Sequence, residues 1–438
     1  MRRTLGPLLN YFKRGESKLA ILSILILLFL IFFGFWKKVN IGITSFGAAM
    51  ILGMIAGMKS KEIIAGFGTS LFVTLLGVFT LFSIAQANGT IELMAQKTVA
   101  LVGKKTFLIP VVLYVVSCVL SMIGPGPIPV FVPMAAFSVS IACQTGFDPI
   151  VLASISTLGS FAGGPSPITP QGIIVANLSE KIGYTGISNS VFANVMFSTF
   201  ICAAVIYFVY GCHKVRATEK ILFSEMLKFN QQQIITMVSI LVMLVAVLIL
   251  GYDIGLVCFL ISAILVICRV ADEKQMMKGI PWGTLILITG VGVYMNVVIK
   301  VGGINLLSKG LMGIMTSATV APIMGLTGGI MSWFSSMTGV VLPTLIPTLG
   351  VIAGKFSAVS YQELISAIYA AAAVAGCSPV STGGGAALAA YVACGEVDSN
   401  QQIKAFNNAF LISVICVVVA VLCAFSGMFR VIGNMFVQ

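Results

Sequence analysis

Long apolar runs dominate the chain, parted by short polar stretches and by clusters of Gly and Pro. Runs of about 18 residues or more match the length a helix needs to cross the hydrocarbon of a bilayer. They are continuous, not ten-residue alternations, and so exclude a transmembrane β-barrel. The pattern predicts an all-α polytopic membrane protein. Spans are expected at about 19–36, 40–57 and 64–87, and again at 233–250, 254–270 and 280–299, with closing spans at 188–211 and 404–428. Between them lie two polar-flecked stretches, 88–105 with Glu92, Lys97, Lys104 and Lys105, and 300–318 with Lys300 and Lys309. Both are too charged to cross and read as interfacial amphipathic helices.

The order of elements occurs twice. Ile41-Gly42 and Phe46 recur 213 residues on as Ile254-Gly255 and Phe259, and Gly77-Val78 recurs as Gly290-Val291. Gly89, Ile91 and Leu93 recur as Gly302, Ile304 and Leu306. Further on the offset drifts by one: Pro129 and Pro133 match Pro343 and Pro347, and Ser166-Pro167 matches Ser378-Pro379. Phe192, Asn194 and Ile201-Cys202 match Phe406, Asn408 and Ile415-Cys416. Runs of Leu and Val would match by composition alone, but these matches are largely Gly, Pro, Ser and Asn in one order, which indicates duplication.

The expected organisation is a basic tail, 1–18, then repeat 1 at 19–211, with hairpin 106–147 and broken helix 150–178. A connecting loop follows at 212–232, and repeat 2 at 233–438 has hairpin 319–358 and broken helix 362–392. Each half then holds about five spans plus one re-entrant hairpin. An odd number of crossings makes the two halves insert in opposite orientations, an inverted structural repeat as in many secondary transporters. Basic residues divide 12 with the N-terminus against 13 opposite, so the positive-inside rule does not fix the orientation.

Composition narrows the function. Of the 438 residues, 58% are hydrophobic and only 9% charged, far below the quarter usual in soluble domains. The single histidine, His213, cannot build a histidine metal site or a Ser-His-Asp triad. The ten cysteines form no CxxC pair and read as small buried hydrophobes. The net charge of +12 sits in loops and the tail, where it suits anionic lipid headgroups and not nucleic acid.

Candidate chemistry sits at the breaks. In Gly163-Gly164-Pro165-Ser166-Pro167-Ile168-Thr169-Pro170, three prolines within six residues stop any helix. In the second half, Gly376-Cys377-Ser378-Pro379-Val380-Ser381-Thr382-Gly383 does the same. A lone break of this kind is often a plain proline kink. Paired breaks at matching places of two inverted halves point to a binding site, because freed backbone groups are tolerated where they line a cavity. Hairpin tips form a second pair: Gly124-Pro125-Gly126 in one half, Ser336-Met337-Thr338-Gly339 in the other. Their helix ends favour an anion, although two short crossings joined by a loop would have a similar sequence. Asp, Glu, Lys and Arg are missing from 106–147, 149–179, 310–354 and 364–395, apart from Asp148 between the first two. Proton coupling usually needs a titratable side chain in the pathway, whereas sodium needs only hydroxyl and carbonyl oxygens. The segments therefore lean to sodium. Gln86, Asn88 and Asn296 read as interhelical packing groups and not as ligands.

Ser-Pro-Ile-Thr at Ser166–Thr169 and Ser-Pro-Val-Ser-Thr at Ser378–Thr382 resemble the unwound-helix motifs of the ion-transporter superfamily, specifically the divalent-anion/sodium symporters and malonate/dicarboxylate carriers. The resemblance implies an elevator-type transporter, with a scaffold of the first three spans of each half and a mobile transport domain of hairpins and broken helices. It further implies a homodimer through the scaffold, a first hairpin on the cytoplasmic side and both termini outside. One departure stands out. Those symporters carry Ser-Asn-Thr at both hairpin tips; here the second keeps Ser336 and Thr338, while the first has Gly124 and Gly126.

The resulting expectation is a secondary transporter, not an enzyme, moving a small malonate- or C4-dicarboxylate-type anion across a plasma (bacterial inner) membrane among its lipids. Gly124, Gly126, Gly164, Ser166, Thr169, Ser336, Thr338, Gly339, Ser378, Ser381, Thr382 and Gly383 would line the substrate and ion sites, with sodium near Ser166, Thr169, Ser378 and Thr382 and no cofactor. A sodium/proton antiporter of the same superfamily would need an intramembrane carboxylate. A membrane-embedded enzyme would need clustered acids, histidines or a metal motif.

Overall fold

The computed structural model describes residues 5–37, 39–100, 106–215, 228–356, 359–393 and 397–436. The first half runs α1 (Leu5–Lys37), α2 (Ile41–Ile55), α3 (Ser60–Ile64), α4 (Thr69–Ala87), α5 (Thr90–Ala100), α6 (Ile109–Met122), α7 (Pro127–Thr145), α8 (Pro149–Gly163), α9 (Pro170–Glu180) and α10 (Ser188–Val209). The second runs α11 (Gln231–Leu248), α12 (Ile254–Ile267), α13 (Glu273–Gly279), α14 (Trp282–Lys300), α15 (Gly303–Met312), α16 (Val320–Phe334), α17 (Leu342–Lys355), α18 (Tyr361–Val374), α19 (Thr382–Ala393) and α20 (Ser399–Phe425), followed by a short α21 (Met428–Asn434). Among the described residues all regular structure is helical, and eight helical stretches are long and apolar enough to cross a membrane. Large apolar side chains such as Leu25, Phe29, Met54, Leu256 and Leu422 cover the outer surface, as a lipid solvent requires. The protein is a multi-pass membrane protein.

Helix starts follow the duplicated sequence. Ile41, Ser60, Thr69 and Thr90 open helices that are echoed 213 residues on at Ile254, Glu273, Trp282 and Gly303. Acidic and amide side chains are spent on helix caps. Asn40 accepts from Gly42 N–H at 2.9 Å, and its counterpart Asp253 accepts from Leu256 N–H at 2.9 Å. Asp148, Asp272 and Asp398 cap α8, α13 and α20 in the same way. A carboxylate on these first-turn amides satisfies orphan donors and lies at the positive end of the helix dipole.

Two pairs of helices, one from each half, cross at glycines. A Cβ on Gly290 would collide with the Gly42 carbonyl, so α14 rides directly on α2. A Cβ on Gly77 would collide with the Gly255 carbonyl, so α4 rides on α12. The duplication equates Gly42 with Gly255 and Gly77 with Gly290, so the two crossings are equivalent. Small residues that let helix backbones touch are the usual device for packing in lipid.

At the centre, α8 and α18 are buried along nearly their whole length, flanked by α6, α7 and α10 and by α16 and α20. Helices α6 and α7 form a hairpin that leaves from and returns to one end of the molecule. At that end Tyr207 O–H donates to Phe107 O (3.1 Å), and Asn408 Nδ2 donates to Asp148 Oδ2 (3.3 Å). The broken pair α8–α9 then runs to the opposite end, where Tyr184 stacks on Tyr361 with centroids 3.7 Å apart.

Several boundaries differ from the sequence reading. The backbone is already helical at Leu5 and continues into the apolar run, so most of 1–18 extends α1. The first interfacial segment is helical over Thr90–Ala100, and its remaining residues 101–105 lie outside the described ones, as do 216–227 of the connecting loop. In the second, Lys300 ends α14 and a fresh helix starts after Gly302, which takes a left-handed turn (φ 83°). The chain reverses again after α20: Gly427 (φ 73°) turns it, and α21 folds back on α10 and α18.

Candidate functional site

Both helix breaks have one local geometry. In the first half, Thr169 O–H donates to the carbonyls of Gly164 and Ser166, the latter at 2.9 Å. In the second, Ser381 O–H donates to the carbonyls of Gly376 and Ser378, the latter at 2.7 Å. A hydroxyl thus replaces the amide donors that the prolines remove. Gly172 and Gly384, one residue short of the main offset of 213, occupy matching places: a Cβ on either would collide with the carbonyl of Ser166 or Ser378. Thr169 then caps α9 by accepting from Gly172 N–H at 3.1 Å.

The hairpin tips meet these breaks. Gly126 (φ 74°) faces Pro170, while Gly124 (φ 142°) takes a backbone conformation that a side chain would strain, against the Phe82 ring of α4. In the second half, Ser336 Oγ accepts from Gly339 N–H at 3.2 Å and lies 3.4 Å from Thr338 Oγ1, opening a wide π-type turn at Met337–Val341. Gly339 lets that turn rest on Leu287 of α14. The two tips therefore sit on α4 and α14, which are themselves equivalent.

A cavity of about 200 Å³ lies where the second tip, the second break and the first half meet. Its polar wall has Ser336, Thr338, Ser381, Thr382 and Gly383; its apolar wall has Phe131, Phe161 and Trp333. Phe131 and Phe161 lie 6.0 Å apart, centroid to centroid, and Gly376 makes room for the Phe161 ring. None of the lining residues is charged. Gly126 and Thr338 also line a smaller adjoining pocket against α4 and α14.

The remaining residues singled out from sequence lie behind this surface. Ser166 is buried with its O–H donating to Met122 O at 2.9 Å, and Thr169 and Ser378 are fully buried. Gly124, Gly164 and Gly339 serve close packing at the tips and the first break. Ser166, Thr169 and Ser381 each give their proton to a carbonyl, which leaves hydroxyl lone pairs as the oxygen donors an alkali cation would use. Asn88 and Asn296 hold helices together, donating to Thr236 Oγ1 (2.8 Å) and Glu62 O (2.7 Å).

Sequence reading passed over Gln171. It follows Pro170 at the start of α9, lines both pockets, and accepts at Oε1 from the O–H of Tyr369. Its only signal was a polar residue beside a proline cluster, which ordinarily marks a loop.

Geometry of this kind defines a class: a helical membrane fold with interrupted helices and hairpins about a central uncharged cavity. The fold is shared with MtrF of Neisseria gonorrhoeae, whose structure illuminates a class of antimetabolite efflux pumps (TM-score 0.57, 14% identity, 86% of this chain and 84% of that one). It is likewise shared with the YdaH transporter of Alcanivorax borkumensis, noted for an unusual topology (TM-score 0.57, 11% identity, 83% and 87%). Residues 17–164 match the family model of the dicarboxylate carrier protein MatC N-terminus. That match covers the first third of the chain, and the likeness to the two solved structures is one of fold. No curated protein sequence matches it.

Proposed function

We propose that the protein is a secondary active transporter that moves a small dicarboxylate across the plasma membrane, coupled to sodium. One observation carries the reading: the uncharged cavity where the second break and second hairpin tip meet the first half, lined by hydroxyls. Its volume of about 200 Å³ suits a compact molecule of a few carbon atoms. Hydroxyls and helix N-termini can hold a carboxylate without an arginine, and hydroxyl and carbonyl oxygens can replace the waters that a bound sodium ion loses. An antiporter would want a carboxylate at this place. The buried acid among the described residues, Glu363, lies outside the cavity and is paired with Arg430 (3.1 Å) at one end of the molecule.

In this reading the duplication is inverted. Helices α2, α4, α12 and α14 form a static frame, locked by their glycine crossings, and the hairpins and broken helices move against it as an elevator. The frame would also carry the contact between two copies. Sodium would be held by Ser166, Thr169, Ser378 and Thr382 together with the freed carbonyls.

Uptake of labelled malonate and succinate into proteoliposomes, with and without an inward sodium gradient, tests this. Accumulation driven by the gradient is expected, with Thr338→Val and Thr382→Val each lowering uptake about tenfold through loss of one hydroxyl contact to a charged group. If neither acid enters under any cation gradient, the dicarboxylate reading fails.

A further inference from the structure

The two breaks share their backbone but not their side chains, and the difference falls on the cavity. The duplication equates Gln171 with Gly383, Tyr369 with Thr157, and Gly164 with Gly376. In one half these three positions form a polar contact: Tyr369 O–H donates to Gln171 Oε1, and a Cβ on Gly164 would lie 2.5 Å from that oxygen and 2.7 Å from the Tyr369 oxygen. In the other they pack closely without such a contact: a Cβ on Gly383 would lie 2.7 Å from Gly376 O and 3.0 Å from Thr157 Cγ2. Gly164 therefore makes room for the Gln171–Tyr369 contact, and Gly383 leaves the facing wall bare.

The contact fixes which way the amide points. Tyr369 is 0% exposed, and its hydroxyl has no acceptor among the described residues other than Gln171 Oε1. A flipped amide would bury that proton unpaired, at a cost typical of an unsatisfied buried donor. With Oε1 so engaged, Nε2 is left without a protein partner among the described residues, although Gln171 is only 4% exposed and borders the cavity. An oriented amide donor in an uncharged cavity suits an acceptor with more than one lone pair, and a carboxylate is the simplest such group.

Resting on the reading of this cavity as the transport site, we propose that Gln171 determines substrate specificity by donating Nε2–H to one carboxylate of the substrate. Tyr369 is a positioning residue that acts through Gln171. The other carboxylate then lies toward the hydroxyls of Ser336 and Thr338, so the duplicated site binds its ligand in one orientation.

The experiment pairs direct binding with transport. Purified wild type, Gln171→Leu and Tyr369→Phe are compared for stabilisation by malonate and by its monomethyl ester, and then for KM and maximal uptake in proteoliposomes. Wild type is expected to prefer malonate over the ester. Gln171→Leu should raise the malonate KM about 10- to 100-fold, the range for losing a hydrogen bond to a charged group, and should shrink the preference for the diacid. Tyr369→Phe should raise KM about 3- to 10-fold through loss of one neutral hydrogen bond, with maximal uptake kept. A merely structural role would lower protein yield and maximal uptake and leave the diacid-to-ester ratio alone, and that result overturns the proposal. So does a Gln171→Leu protein that binds malonate like wild type. If wild type neither binds nor moves malonate or succinate, it is the dicarboxylate reading of the cavity that has failed.

Discussion

Glycine has two uses in this chain that a substitution would tell apart. At Gly290 the missing side chain is what lets α14 lie on the Gly42 carbonyl, so Gly290→Ala has to push two helices apart. Forcing atoms into a packed crossing typically costs about 1–3 kcal/mol. A Cβ on Gly47, within α2, would meet nothing within 4 Å. Gly290→Ala is therefore expected to lower the detergent-solubilised melting temperature by several degrees and Gly47→Ala to leave it level or raise it slightly, as a thermal unfolding series would read directly. Both glycines look alike in the sequence. What separated them beforehand was the recurrence of Gly77-Val78 as Gly290-Val291, since chance rarely repeats a residue that contributes nothing to hydrophobicity. Gln171 had no such echo, because its counterpart is Gly383. Its orientation depends on a tyrosine 198 residues further along, a relation no local pattern reveals.

Among elements, the turns and breaks were the most legible part. Proline and glycine dictate backbone locally, and helices stop and restart around Gly124–Gly126, Gly164–Thr169 and Ser378–Ser381. The last helix was missed for the opposite reason. α21 has seven residues and no strong periodicity, and its place comes from partners far away in sequence. Asn194 of α10 donates to Phe429 O and to Ser366 Oγ, both at 2.9 Å, and Ser190 O–H donates to Gly433 O at 3.0 Å. Arg430 then reaches Glu363, which is 3% exposed at the start of α18. Arg430→Ala would leave that carboxylate buried without its cation. Because the arginine is half exposed and screened, the loss should amount to about 1–3 kcal/mol and not the full cost of a buried charge. Hydrogen exchange should quicken over Met428–Asn434 and the first turn of α18 and stay unchanged at α2 and α14; uniform quickening would mean that α21 is not a separate latch. Asn408, which the duplication pairs with Asn194, braces the other end by accepting from Tyr210 O–H at 2.6 Å.

For the molecule as a whole, two halves of similar sequence have been built into one object by exchange. Neither half packs its α2-type helix on its own α4-type helix in the way it packs on the other half's. The crossing glycines of 41–87 find their partners only in 254–300, and those of the second half only in the first. This arrangement has a bearing on how the protein is made. While the ribosome is still translating residues beyond 215, the finished half sits in the membrane with bare grooves at Gly42 and Gly77 and no surface of its own to fill them. Cutting the gene between Val215 and Lys228 should therefore give two fragments that are each degraded when produced alone and that survive, co-purify and regain uptake when produced together. Stable accumulation of either fragment by itself would mean that a half is a finished protein. The expected outcome would instead make each half the other's chaperone, and would leave the chain exposed to quality control until the second set of glycines has been synthesised.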